Sequence, residues 1–563
     1  MLLGIDVGGT HTDTVILDDG RVVAEAKIPT DHDDLLSSIQ GALDAVLTGM
    51  DPAQIRSVNL STTLSTNAIV ENKIEDVGVL VSTGPGIDPE NYRVGGHYHV
   101  VAGAVDHRGT EVMAPDEQQL EEVALSMEQA GIKVFAAVGK FSTRNPDHER
   151  AMAGAVGHAA DFVTMGHGVS GVLNFPRRVA TAYFNSAVWR TYNDFAWAMQ
   201  ESLTGRGLKA EINILKADGG TLPLAVSRRR PIETILSGPA ASVMGMIALC
   251  DPRDDSVLLD IGGTTTDIAV FADGSPVIED QGMTVGSYPT LVKSLKIRSI
   301  GVGGDSVIRV NSEGMVTVGP DRKGPALATC GNSKIAKGQA CSPALTDALN
   351  TLGLSAFGDV EASRRGIRKL AELSDLAPEV LARRAVDNAR DKIVAAANDL
   401  VDELNDRPVY TILELLKGKT VRPKRYSLMG GPAQAMGPQL EEVLGVPVTL
   451  PAHFAVANAI GAALTRTTMD VELFADTQKK RMFIPGLGIA TDIPASYTLE
   501  QAERDAEKAL KDYLVGMGGG ETAAEPEISE SGSFNMVDDH GTVGRNIRVK
   551  CQIQPGIVTR ARV

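Results

Sequence analysis

The sequence predicts an α/β protein of two facing lobes, built on a duplicated strand–loop–strand phosphate motif and followed by a small C-terminal α+β module. Three observations carry this. Residues 6–13 read Asp-Val-Gly-Gly-Thr-His-Thr-Asp and residues 260–267 read Asp-Ile-Gly-Gly-Thr-Thr-Thr-Asp, identical at six of eight positions. An apolar run and a closing Asp-Gly follow each copy, at 15–17 with Asp19-Gly20 and at 268–271 with Asp273-Gly274. The offset, 260 − 6 = 254 residues, is too long for a stacked repeat and fits two related halves that meet across a cleft. Finally, 58 glycines against 4% aromatic residues suit an α/β chain with many functional turns.

The duplicated stretch names its ligand by chemistry. In the second copy the apolar runs 257–259 and 268–271 flank the turn, giving strand, tight loop, strand. Gly262 and Gly263 lack a Cβ, so their N–H groups can approach an anion closely. Thr264, Thr265 and Thr266 add hydroxyl donors. Asp260 and Asp267 repel phosphate, and make sense where a divalent cation, Mg²⁺ with its waters, lies between carboxylate and phosphate. The expected ligand is a metal-bound nucleoside polyphosphate. Asp6, Gly8, Gly9, Thr10, Thr12 and Asp13 repeat the device in the first copy.

In chain order, residues 2–7, 14–17 and 22–28 read as a strand meander, and residues 33–48 have helical spacing. Residues 55–60 form a strand entering Ser61-Thr62-Thr63-Leu64-Ser65-Thr66, whose local reading is a helix start with hydroxyls satisfying backbone donors. Residues 77–82 are a strand. His97, His99 and His107, with Asp106, invite a metal reading, and the 97/99 spacing sets two of them on one strand face. No third ligand is fixed, and a loop facing substrate is the stronger reading. Residues 116–130 read as an amphipathic helix and 134–138 as a strand. Asn145-Pro146-Asp147-His148-Glu149 places a proline at a helix start and acids in its first turn; support for an active site is equally open. Residues 176–190 start a helix that continues through Tyr192, Phe195 and Trp197, read as packing rather than ligand binding.

Residues 212–216 lead as a strand into Ala217-Asp218-Gly219-Gly220, and the run Arg228-Arg229-Arg230 reads as solvated. Ser237-Gly238-Pro239-Ala240 is a strand-to-helix turn whose amides suit an anion. Residues 300–306 give another glycine turn, with Gly303, Gly304 and the carboxylate of Asp305, which needs a metal or a donor if it lies beside a nucleotide. Residues 361–405 are helical and charged. Residues 426–429 form a strand entering a third glycine loop at Gly430 and Gly431, and 452–464 is a helix of small residues suited to packing between lobes. In the tail, 499–514 is helical, Gly518 to Ser533 reads as an acidic linker, and 534–537 and 547–553 read as strands. Domains are expected at 1–175, 176–470 and 471–563.

The charge of 54 − 71 = −17 argues against nucleic acid or an anionic membrane as partner. No apolar run is long enough to span a bilayer, and the chain passes from Met1 directly into a strand, so a cytoplasmic protein is expected. Cys250, Cys330, Cys341 and Cys551 do not make a disulfide framework, and Cys330 and Cys341 lack the paired spacing of a zinc site.

The paired turns resemble the phosphate loops of the superfamily that contains actin, heat-shock ATPases and sugar kinases. Within it the sequence is similar to the ATP-binding A subunit of the hydantoinase/oxoprolinase family, over about residues 1–465. Family-like segments include the Asn145 to Glu149 stretch, Asn185, Gly219-Gly220, Ser237 to Ala240 and residues 343–348. The chain has Leu60-Ser61 where the family often carries a histidine before paired threonines. It has Asp305 where the family has a glycine, and family members usually run longer at the C-terminal end. The resemblance implies an actin-like ATPase fold with ATP and Mg²⁺ as cofactors. Asp6, Asp13, Asp260 and Asp267 would form the catalytic set, Asp6 and Asp260 holding the metal and Asp13 or Asp267 orienting an attacking group. Gly8, Gly9, Thr10, Thr12, Gly262, Gly263, Thr264, Thr266, Gly303 and Gly304 would bind nucleotide, with Gly430 and Gly431 beside adenosine. The implied activity is phosphorylation of the carbonyl oxygen of a cyclic amide, hydantoin- or 5-oxoproline-like, so that the ring can open, with a B-type partner subunit. A small-molecule kinase, an ATP-dependent ketone carboxylase subunit and an ATP-gated switch are the alternatives, and a homo-oligomer is left open.

Overall fold

The computed structural model describes residues 1–31, 34–279, 281–331, 340–406, 420–517, 524–539 and 541–562. Leu2–Val7 runs antiparallel to His11–Asp18, which pairs with Arg21–Pro29. Asp19 and Gly20 take φ of 47° and 80°, the left-handed pair that a two-residue hairpin turn needs. On its other side Leu2–Val7 pairs in parallel with Ser57–Thr62, and Glu211–Leu215 and Thr221–Pro223 complete a six-stranded sheet. The second copy of the motif repeats this topology. Ser256–Ile261 is antiparallel to Thr266–Ala272 and parallel to Arg425–Met429, and Asp273 and Gly274 take φ of 50° and 78°. In both sheets the register sets the two aspartates opposite one another, Asp6 against Asp13 and Asp260 against Asp267. The duplication therefore extends from motif to strand order, as expected of a two-lobed actin-like ATPase fold.

The lobes meet on the small-residue helix, observed at Ala457–Leu464 after a 3-10 turn at Phe454–Val456. It packs against the helix Ser237–Cys250 and the strand Leu2–Val7. A Cβ on Gly4 would lie 2.1 Å from Ala459 O, and one on Gly461 would lie 2.2 Å from Ala241 O. Close backbone approach, rather than side-chain volume, thus sets the spacing here.

A second, all-parallel sheet orders Phe162–Met165, Val134–Gly139, Val77–Ser82 and His97–Val100. Its two central strands are buried throughout, which is why they read as continuous apolar runs. His97 and His99 lie on the edge strand, and among the described residues no three His, Cys, Asp or Glu side chains are grouped to hold a metal. The charged helical region forms Val360–Leu373 and Pro378–Asn405, whose Ile367, Val386 and Ile393 share a core with Leu259, Ile261 and Ile268. No helix among the described residues is long and apolar enough to cross a membrane.

The tail builds a five-stranded sheet, ordered Ile489–Asp492, Arg481–Ile484, Asp470–Asp476, Gly541–Gln552 and Glu527–Asp538. The helix Leu499–Gly516 covers it with Ala502, Ala506, Leu510 and Leu514, all four residues apart. Three expectations are corrected. Residues 527–533, read as linker, belong to a strand: long pairing with Gly541–Gln552 satisfies a polar edge strand whose composition does not announce it. The linker residues 518–523 lie outside the described residues. The arginine run is held at its two ends, while Arg229 between them is exposed as expected. Arg228 donates to Asn193 Oδ1 and lies 4.3 Å from the Trp197 ring, while Arg230 donates to Gly486 O; these partners are distant in sequence. Cys330 and Cys341 form a disulfide, with Cα atoms 6.0 Å apart.

Candidate active site

Both glycine turns close in the same way. Gly8 N–H donates to His11 O at 3.0 Å, and Gly262 N–H to Thr265 O at 2.9 Å. The next two amides of each turn, on Gly9 and Thr10 and on Gly263 and Thr264, donate to no acceptor among the described residues. The turns face each other. A Cβ on Gly263 would lie 2.8 Å from Thr10 Cγ2, and one on Gly9 would lie 4.0 Å from Thr264 Oγ1. Two sets of unused amides, 260 − 6 = 254 residues apart in the chain, thus border one space. Such backbone nests bind anions.

Behind the turns stand the carboxylates. Asp6, Asp13 and Asp260 are 4%, 6% and 9% exposed. Lys27 Nζ reaches both oxygens of Asp13, at 2.7 and 2.6 Å, and also Ala455 O at 3.0 Å. Asp260 Oδ2 accepts from Ser242 Oγ at 2.5 Å and from Asn458 Nδ2 at 3.2 Å. Asp267 accepts from Ser299 Oγ. Asp6 Oδ1 is buried with no partner. Burial, then the charges of Asp13 and Asp260, push Asp6 up to about 7. Burial and the charge of Asp260 raise Asp267 to about 7 as well. Burial, reinforced by Lys27, lowers His11 to about 4, so the imidazole adds no compensating charge near neutrality. Lys27 is the only cation bonded to the four carboxylates among the described residues, and the cluster therefore favours a further cation.

These residues fit Mg²⁺. The orphaned oxygen of Asp6 and the neighbouring Asp260 offer one or two carboxylates, and no third ligating side chain joins them among the described residues. An ion held there would need water and other oxygen ligands to complete its shell, which Mg²⁺ characteristically tolerates.

The expected nucleotide ligands divide into two groups. Thr10 and Thr264 are half-buried at the turn tips, whereas Thr12 and Thr266 are fully buried. The Thr12 hydroxyl is bonded to Thr30 Oγ1 at 3.0 Å, and Thr266 Oγ1 donates to Val302 O at 2.6 Å. Gly303 N–H donates to Ser306 Oγ and Gly304 N–H to Gly262 O, so the 301–306 turn braces the second glycine turn with the amides it has. Asp305 beside it accepts from Ala326 N–H at 3.0 Å and from Arg322 at 3.3 Å, the donors its position requires, although burial still raises its pKa. Gly430 takes φ 88°, and a Cβ there would lie 2.2 Å from Ile261 O and 2.8 Å from Asp260 Oδ1. Gly431 is exposed with open space over it, so the third glycine loop flanks the same carboxylates.

The hydroxyl run and the Ser-Gly-Pro-Ala turn hold each other. Ser237 Oγ donates to Thr62 O and accepts from Thr62 N–H, while Leu236 N–H donates to Thr66 Oγ1. In the Asn-Pro-x-His-Glu segment, Glu149 is fully buried and accepts from Gly139 N–H, His167 N–H and His167 Nδ1. That is a structural anchor as well as a helix start. Lys27, Ser242, Ser299 and Asn458 escaped the sequence reading. Asn458 had a signal, being the sole polar residue of Ala457–Leu464.

Comparison with known proteins matches residues 178–471 to the hydantoinase/oxoprolinase model and residues 2–158 to the hydantoinase/oxoprolinase N-terminal region. Caprolactamase subunit alpha of Pseudomonas jessenii is 27% identical over 80% of this chain and 68% of its own length. A solved ATP-dependent caprolactamase from that species superposes with a TM-score of 0.70 at 21% identity, over 98% of this chain and 87% of that one. The 5-oxoprolinase of Saccharomyces cerevisiae is 26% identical over 60% of this chain, which spans only 26% of that protein. Acetone carboxylase beta subunit of Xanthobacter autotrophicus is 24% identical over 58% of this chain and 51% of its own length.

Proposed function

Because the chain belongs to the hydantoinase/oxoprolinase family, we propose that it is the ATP-binding component of an ATP-dependent hydrolase that activates a cyclic amide for ring opening and works with a B-type subunit. The observation that carries this is the meeting of two glycine turns, each with unused amides, in front of a carboxylate cluster short of positive charge. The amides of Gly9, Thr10, Gly263 and Thr264 grip the phosphates, joined by the Thr10 and Thr264 hydroxyls. Asp6 and Asp260 hold Mg²⁺, whose charge offsets that of the transferring phosphoryl group. Either Asp13, fixed by Lys27, or Asp267, fixed by Ser299, orients the attacking group. Gly430 and Gly431 border adenosine.

In this reading the amide carbonyl oxygen displaces ADP from the γ-phosphorus. The O-phosphorylated carbon is a far better electrophile than the amide. One water adds to it and the amine leaves as the C–N bond breaks. A second water releases phosphate from the resulting acyl phosphate, giving the open-chain amino acid, ADP and phosphate. Positioning and charge neutralisation supply most of the acceleration. The naming of the caprolactamase relative as an alpha subunit supports a partner chain.

The acetone carboxylase relative favours a second reading, in which the phosphorylated carbonyl belongs to a ketone. Incubation with ATP and a panel of lactams, hydantoins and ketones, with and without bicarbonate and a B-type subunit, separates the two. ADP with a ring-opened acid is expected. A bicarbonate-dependent keto acid supports the carboxylase, a stable phosphorylated product supports a kinase, and slow turnover indifferent to small molecules supports a switch. Asp260→Asn is expected to lower ATP turnover by about 100-fold or more with its thermal melt intact; undiminished turnover contradicts the metal assignment.

A further inference from the structure

Away from the glycine turns, a cleft of about 180 Å³ opens between the loop after Val134–Gly139 and the C-terminal sheet. No residue of the 6–13 or 260–267 turns lines it. Its described wall carries the cations Arg108, Arg144, Arg150, Lys479 and Arg481, against the single carboxylate of Asp147, which is already paired with Arg150 at 2.9 Å.

Arg144 is the unusual member. It is 7% exposed, and its guanidinium lies 3.6 Å from the centre of the Phe474 ring. Its Nε is buried without a partner, and the side chain makes no hydrogen bond or ion pair among the described residues. Stacking occupies the flat face and leaves the donor edge, the part of arginine that matches a planar or tetrahedral oxyanion two bonds at a time. Thr143 Oγ1, also on the wall, is likewise buried and unpartnered. Lys479 Nζ reaches only uncharged oxygens, Arg108 O and Thr110 Oγ1, both at 2.7 Å. Neither side chain is bonded to a carboxylate among the described residues: Glu472 acts on Arg144, and Asp106 and Asp476 on Lys479, only at longer range, and Arg144 is almost wholly removed from water. An arginine so placed is costly unless an anion joins it.

We propose that this cleft binds a small dianionic oxyanion, a phosphate monoester or a dicarboxylate, gripped by the donor edge of Arg144 and the ammonium of Lys479. Burial and the nearby charge of Arg548 hold Arg144 down at about 10, and a bound anion reverses that effect. Arg144 comes from the N-terminal part of the chain, and Phe474 and Lys479 from the C-terminal sheet. The ligand therefore bridges the seam where Arg108 already bonds Asp476 and Gln478.

Inorganic phosphate and glutarate, each titrated calorimetrically into the full chain at constant ionic strength, test the site. Excess Mg²⁺ and a non-hydrolysable ATP analogue are present, and the titrations are repeated without them. Saturable binding of at least one anion is expected, weakened about tenfold or more by Arg144→Gln and by Lys479→Gln. Phosphate alone identifies a monoester site and glutarate alone a dicarboxylate site. If Arg144→Gln fails to melt cooperatively, the more exposed Lys479→Gln decides. No saturation by either anion up to about 10 mM overturns the proposal. So does affinity unchanged in the variants, or a signal abolished by the ATP analogue.

Discussion

Asp6 concentrates the tension of the site in one carboxyl group. Its ordinary value of 3.8 is raised to about 7, so the unfolded chain releases this proton at lower pH than the folded one. The stability it contributes is therefore complete below about 4 and is lost as pH rises through 7. Asp6→Asn should melt higher than the parent at pH 8 without ligand, by roughly 2 °C or more, with no difference at pH 4; a scanning melt across pH reads this directly. Lys27 is the reverse case. Lys27→Met leaves Asp13 buried without its partner and should cost roughly 1–2 kcal/mol in denaturant melts, the lysine's one-third exposure being allowed for. Adding Asp13→Asn should recover part of that loss. The four aspartates were legible because the repeat displays them. Lys27 was not, because a bulge between Ile16 and Leu17 shifts the pairing by one; regular counting from the Asp19-Gly20 turn sets Asp13 against Ala26. The burial of Thr12 and Thr266 was hidden for a similar reason, since side-chain direction at the start of a strand depends on the neighbouring strand.

Among elements, the helix Ala457–Leu464 joins the lobes to the chemistry. It presses on Leu2–Val7 and Ser237–Cys250 through backbone contacts, and its Asn458 holds Asp260. A methyl group on Gly461 meets Ala241 O at 2.2 Å and Gly245 N at 2.4 Å, neither of which is a flexible side-chain end. Gly461→Ala should therefore destabilise the fold by about 1–3 kcal/mol in denaturant melts and lower ATP turnover by displacing Asn458. An unchanged midpoint would show that the interface yields. Helix and strand periods made most of these elements legible, including the function of the small-residue helix. The first half of the strand Glu527–Asp538 was not, although 534–537 read as a strand, because its polar residues are ordered by a partner strand rather than by burial of an apolar face.

For the whole molecule, the duplicated sheet is the feature the sequence announced most clearly, since two turns identical at six of eight positions imply two equivalent strand pairs. What it could not announce is how far the lobes share chain. Glu211–Leu215 and Thr221–Pro223 return to the first sheet, and Asp470–Asp476 forms the centre of the last one. A division at 1–175, 176–470 and 471–563 accordingly stands as a proposal, with residues 211–223 crossing back into the N-terminal lobe. Convergence of the two turns on one triphosphate is the claim on which the functional account rests. It is tested most directly by a crystal structure of the chain with Mg²⁺ and a non-hydrolysable ATP analogue. The account predicts phosphates between Gly9 and Thr10 on one side and Gly263 and Thr264 on the other, the metal beside Asp6 and Asp260, and adenosine against Gly430 and Gly431. A nucleotide bound elsewhere, with those four amides still unused, would contradict it.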